Sequence, residues 1–150
     1  MRYQKTQVGW LLIILLSIMI GFVAFSFLFG GRTNTSDYSK LGFIGIFLLL
    51  VTLCFYKLTV VVADHKIKLI YGIGLIRINI KPQKITNVQA VKTSVLAGYG
   101  IRFTLNGMLY NIQGNKAVQI KYNNGTETIV RIGTDEPDKL SDAIRSEFSL

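Results

Sequence analysis

The sequence predicts a membrane-anchored, mainly β protein: two N-terminal transmembrane helices, then a bent antiparallel barrel or sandwich of seven or eight strands capped by a C-terminal α-helix. Three observations predict it. Val8 to Phe29 is a run of 22 residues without a charge, which at helical rise spans about 33 Å and covers a hydrocarbon core of about 30 Å. From Lys57 onward apolar residues alternate with a period of two, the mark of half-buried strands. After Glu136 the period becomes helical. The 50% apolar composition of the 150 residues is thus two compositions joined near Lys57. The chain divides into a helix hairpin over 1–56, with helices at about 8–29 and 41–56, and one β domain over 57–150 whose closing helix runs at about 136–148.

In the anchor, Gly30-Gly31 ends the first helix and Thr33 to Ser39 supplies a polar hairpin turn. Leu41 to Tyr56 is the second uncharged run, but its sixteen residues reach only about 24 Å. That helix must thin the bilayer or let Lys40 and Lys57 snorkel from its ends. Tyr3 and Trp10 by the first helix, and Tyr38 and Tyr56 by the second, suit the headgroup level, where a ring has one wet and one apolar end. Ser17 with Gly21 and Gly42 with Gly45 are small residues through which helices can approach. Arg2 and Lys5 could begin a signal peptide. Secretory apolar cores hold about 7 to 15 residues, however, and this run is longer and is followed by a second. Arg2, Lys5, Lys57, Lys66 and Lys68 outweigh Arg32 and Lys40, which predicts a multi-pass protein of the inner (cytoplasmic) membrane with both termini cytoplasmic. Cys54, the one cysteine, has no intramolecular partner and requires no oxidising compartment.

In the β domain, Leu58 to Ala63 and Lys66 to Tyr71 flank Asp64-His65 as a hairpin, with Ile67, Leu69 and Tyr71 on one face and Lys66, Lys68 and Ile70 on the other. Gly72 and Gly74 bracket a turn before Leu75 to Ile80, where Ile76, Ile78 and Ile80 oppose Arg77 and Asn79. Pro82 closes that strand. Val88 to Lys92, Gly100 to Leu105, Met108 to Gln113, Ala117 to Tyr122 and Glu127 to Ile132 follow, punctuated at Asn106-Gly107, Gly114-Asn115 and Asn123-Asn124-Gly125. Thr134 or Asp135 can cap the last helix, Pro137 suits its first turn, and Leu140, Ala143, Ile144 and Phe148 form its apolar stripe. A meander of antiparallel strands plugged by this helix is the expected architecture.

Several stretches in this order carry a resemblance: Leu58-Thr59-Val60, Tyr71-Gly72-Ile73-Gly74-Leu75-Ile76-Arg77, Gly98-Tyr99-Gly100-Ile101-Arg102, Gly107 to Gly114, Ala117-Val118-Gln119-Ile120 and Arg131 to Pro137. Behind two membrane helices, they resemble the bacterial pleckstrin-homology-like (PH domain-containing) membrane proteins over most of the chain. The resemblance implies a bent seven-stranded barrel or sandwich capped by a C-terminal helix, and no known catalytic set. It implies little about biochemistry, because fold does not give function.

Charge is the strongest functional signal. Lys57 to Arg131 carries eleven Lys or Arg against Asp64 and Glu127, whereas Gly133 to Leu150 carries two basic and five acidic residues. A basic module under an anionic leaflet gains about 1 kcal/mol for each cation near the headgroups. The candidate anionic-surface contacts are Lys66, Lys68, Arg77, Lys81 and Lys84. The competing reading is a solvated strand face with snorkelling stems. Tyr99, Phe103 and Tyr110 could stack bases, but a module tethered at a bilayer is poorly placed for nucleic acid, and core or flanking packing explains the rings.

Chemistry has little to stand on. His65 is the only histidine and has no second histidine or cysteine in the β domain, so no metal, cofactor or catalytic residue is expected. Asp135, Glu136 and Asp138 are explained by a helix start. Gly72-Ile73-Gly74 joins two strands and is no dinucleotide fingerprint. The expected function is a non-enzymatic, membrane-anchored binding or scaffold module that presents a basic domain to protein partners or anionic lipid headgroups. A small structural subunit of a larger membrane complex is the alternative.

Overall fold

The computed structural model describes residues 3–29, 35–93, 100–104 and 107–150, and the backbone alone for 35–38. Nine strands and three helices follow one another as β1 (Tyr3–Val8), α1 (Trp10–Phe29), α2 (Thr35–Phe55), β2 (Lys57–Ala63), β3 (Lys66–Tyr71), β4 (Ile76–Ile80), β5 (Lys84–Lys92), β6 (Gly100–Thr104), β7 (Gly107–Asn111), β8 (Lys116–Asn123), β9 (Glu127–Gly133) and α3 (Pro137–Phe148). The architecture is mainly β, in two sheets with a C-terminal helix.

The first sheet has the order β1-β2-β3-β4, antiparallel throughout. Its β2–β3 hairpin turns on Asp64 and His65, both at positive φ, the backbone that a two-residue turn between right-twisted strands needs. Ile67, Leu69 and Tyr71 are buried while Lys66, Lys68 and Ile70 alternate outward, as their period predicts. The added strand is β1. It pairs with β2 from Tyr3↔Val62 to Val8↔Lys57, so the β layer begins before the helices, and the hairpin of α1 and α2 is an insertion between two neighbouring strands. The sequence reading placed everything before Lys57 in the anchor, because the inward positions of β1 are Tyr3, Lys5 and Gln7 and present no apolar alternation. Tyr3 accordingly packs on the core and is not a headgroup-level ring of the first helix.

The second sheet has the order β5-β8-β9-β7-β6, with β7 and β9 parallel. A plain antiparallel meander is therefore corrected: the β6–β7 hairpin lies outside β9. Close approach explains the geometry. A Cβ at Gly107 would fall 2.1 Å from the Ile129 carbonyl oxygen, and one at Gly133 would fall 2.1 Å from Asn111 Oδ1, so glycines on either side of the Met108↔Val130 to Tyr110↔Ile132 pairing let the two strands close. Asn106 of the expected Asn106-Gly107 turn, and Gly98-Tyr99, lie outside the described residues.

Between the sheets lies one core of Leu58, Val62, Ile67, Leu69, Tyr71, Ile120, Val118 and Ile132, closed by Leu140 and Ile144 of α3. The helix begins on Pro137 as expected, but its N-cap is Glu136, with no side-chain cap bond. Thr134 Oγ1 accepts from the Glu136 amide at 3.2 Å, and Asp135 instead accepts from Gln7 Nε2 on β1, so neither of the two expected residues is the cap. Arg145 donates to the Val88 carbonyl at 2.8 Å, fastening α3 to β5.

Of the apolar helices, α1 is long and apolar enough to cross a membrane, by length and composition. A signal sequence has the same properties. The apolar part of α2 is the shorter segment Ser39–Phe55, so the expectation of a second transmembrane helix is not supported by length, nor is a multi-pass topology. The two helices pack on each other at Gly45, whose Cβ position is 3.6 Å from Val23 Cγ1. A Cβ at Gly21 or Gly42 would meet no described atom within 4 Å, so among the described residues that part of the expected small-residue contact is not made.

Candidate functional site

Both helices leave from one rim of the β module, and backbone hydrogen bonds tie their feet together. The Gly9 amide donates to the Tyr56 carbonyl at 2.9 Å, the Gly72 amide to Lys57 at 2.8 Å and the Ile73 amide to Leu53 at 3.2 Å. The β3–β4 turn thus sits on the last turn of α2. Only glycine fits at 72: φ is +55°, and a Cβ would meet the Leu53 and Cys54 carbonyl oxygens at 2.0 and 2.5 Å. Across the rim, the Trp10 amide donates to Gln113 Oε1 at 3.0 Å, so the β7–β8 turn braces the foot of α1.

This rim is amphipathic. Ile73 and Leu75, in the turn on α2, are 58% and 66% exposed. Beside them Arg77 Nε donates to the Gly74 carbonyl at 2.9 Å, which holds an exposed guanidinium in the same turn. Lys57 Nζ lies 5.2 Å over the Tyr56 ring, close enough for a cation–π contact. Sequence reasoning put Leu75 in the following strand, which begins at Ile76, and passed over Ile73; its signal was an apolar residue between two turn glycines, where polar residues are usual.

The five predicted contacts do not converge on one point. Lys66, Lys68 and Arg77 share the outer face of β3 and β4, with Lys68 opposite Asn79 and Arg77 opposite Ile70, so Lys68 and Arg77 are diagonal neighbours. Lys81 lies one residue beyond the Ile67↔Ile80 pair, at the same end of the first sheet as Lys66 and away from Arg77; there Asn124 Nδ2 donates to the Lys81 carbonyl at 3.0 Å, and Lys84 faces Asn123 on the second sheet. Of the rings considered for stacking, Tyr110 belongs to the core, Tyr99 is outside the described residues, and Phe103 on β6 is 89% exposed, against the expectation that it packs.

Pairing of charges is concentrated at α3. Glu136 accepts from Lys139 at 3.1 Å and from Lys5 at 3.2 Å, and these two bonds, Lys139 first, hold its carboxyl below the usual range. Glu147 is lowered chiefly by the bond from the His65 amide. Burial pushes the Tyr71 hydroxyl well above its ordinary value, with Tyr110 adding to the rise. Among the described residues no three His, Cys, Asp or Glu side chains gather, and Lys66, Lys68 and Arg77 form no ion pair. Lys92 and Lys116, which sequence reasoning passed over, are direct partners across β5 and β8. No local pattern reveals them, because that pairing joins strands far apart in the chain.

No family model, curated protein or solved structure matches this chain.

Proposed function

We propose that the chain is a non-enzymatic, membrane-anchored binding module. In this reading α1 and α2 form a two-helix anchor in the inner membrane, and a pleckstrin-homology-like domain of two sheets and α3 lies against the cytoplasmic leaflet, where it docks anionic headgroups or protein partners. The observation that carries it is the pairing of β1 with β2. Strands that flank the helices and hydrogen-bond each other over six residues keep both helix feet on one side of any bilayer. If α1 crosses, α2 must return. The exposed apolar faces of both helices, including Phe22, Phe25, Phe43 and Phe47, favour lipid over water. Use of α1 as a cleaved signal is disfavoured by the same pairing, because cleavage would remove β1 from its sheet. At the rim, Ile73, Leu75 and Arg77 combine apolar insertion with a cation, the composition of an interfacial contact.

The parallel β7–β9 pair departs from the antiparallel barrel that the family resemblance implies, so the resemblance supports the general architecture more than its strand order. Two measurements test the reading. The full chain is expected to stay with the membrane through an alkaline carbonate wash; release as a dissolved species sinks the anchor. In nanodiscs, amides over 72–77 are expected to exchange more slowly with anionic than with zwitterionic lipid, and R77Q is expected to erase the difference. Equal exchange of the wild type in both lipids removes the headgroup contact.

A further inference from the structure

We propose that the helix rim holds one anionic phospholipid, its acyl chain along α1 and its phosphate between Lys92 and Lys116. The inference rests on the membrane reading above and adds to it a ligand class and a place.

Two cavities meet over Gln113 and Gly114. One is an open apolar groove that runs along α1 past Trp10, Leu11, Leu15 and Ile18, side chains that are each more than half exposed. The other, of about 190 Å³, is lined by Asn115, Lys116, Thr134 and Asp135. An open apolar groove that leads to a polar pocket matches a molecule divided in the same way. A phospholipid at the headgroup level is such a molecule, and the shared Gln113 is the residue whose Oε1 fixes the foot of α1.

The charges select the headgroup. Lys92 and Lys116 are cross-strand partners and both exposed, an arrangement that repels when nothing lies between them. A phosphate there converts the repulsion into two charge-assisted hydrogen bonds. Asp135 is the one carboxylate lining the polar cavity and already accepts from Gln7 Nε2; Lys116 shares that lining, and Lys92 is its partner across the strand pair. Thr93, next to Lys92, donates its amide to the Asn115 carbonyl at 2.7 Å.

Trp10 supplies the probe, because it is the only tryptophan and lines the apolar cavity. The full chain is reconstituted in bilayers of phosphatidylglycerol and phosphatidylcholine, with bromine on the acyl chains of one lipid or the other, so that quenching reports contact. Brominated phosphatidylglycerol is expected to quench Trp10 beyond its share of the bilayer. K92Q and K116Q are each expected to lower that preference about fivefold, the effect of one cation near a headgroup, while K66Q/K68Q retains it. Equal quenching by both lipids in the wild type, or a preference for phosphatidylcholine, overturns the site and leaves the anchor standing. Absence of quenching by either lipid, in bilayers that carry the protein, overturns the anchor itself.

Discussion

At the scale of single residues, the junction between helices and sheets depends on atoms that are absent. Gly72 has positive φ and lies where a Cβ would strike two α2 carbonyl oxygens, whereas Gly114, also at positive φ, has nothing within 4 Å. The pair separates backbone strain from steric clash. Gly114→Ala is expected to lower stability by about 1 kcal/mol, the cost of a left-handed L-residue. Gly72→Ala is expected to cost about 2–5 kcal/mol, the same left-handed strain plus about 1–3 kcal/mol for forcing packed groups apart. Thermal unfolding of the detergent-solubilised chain measures both, and similar losses for the two would show that the turn does not bear on α2. The glycines themselves were legible in the sequence as turn residues. What Gly72 touches was not, because Leu53 and Cys54 reach it only after the chain has left α2 and returned along β3.

At the scale of elements, local period located most of the strands and the last helix. The hairpin on Asp64-His65, the inward Ile67, Leu69 and Tyr71, and the stripe of Leu140 and Ile144 follow from side-chain alternation that each segment carries by itself. The exception is β1. Its inward residues are polar because they meet polar groups: Lys5 pairs with Glu136, and Gln7 with Asp135, at the approach to α3. Alternation of hydrophobicity cannot report a strand whose inner face is built for hydrogen bonds. A chain beginning at Lys57 is therefore expected to expose the β2 edge and to self-associate. Size-exclusion chromatography of that fragment reads the outcome, and a stable monomer would show that β1 is dispensable. The caps of α3 were misassigned for the same reason, since Asp135 is drawn to β1 and away from its own helix.

At the scale of the whole molecule, the insertion of a helix hairpin between paired strands makes the rim a joint, braced at α2 by the β3–β4 turn and at α1 by Gln113. If the joint lies at a bilayer surface, single cysteines placed at Gln4 and at Asn124 in a Cys54→Ser background label from the same side of sealed vesicles. Labelling from opposite sides would exclude the paired β1–β2 arrangement in the membrane. By itself the sequence determined an uncharged run long enough to span a bilayer, a train of short strands, an amphipathic closing helix and a basic surplus before an acidic end, since composition and period are properties of adjacent residues. The tertiary structure alone decided that β1 belongs to the first sheet, that β7 runs parallel to β9, that Lys66, Lys68 and Arg77 share a face of the first sheet while Lys84 is on the second, and that Lys92 meets Lys116. Each of these is a pairing between distant segments, set by which hydrogen-bonding edges and apolar faces remain to be satisfied once the local elements have formed.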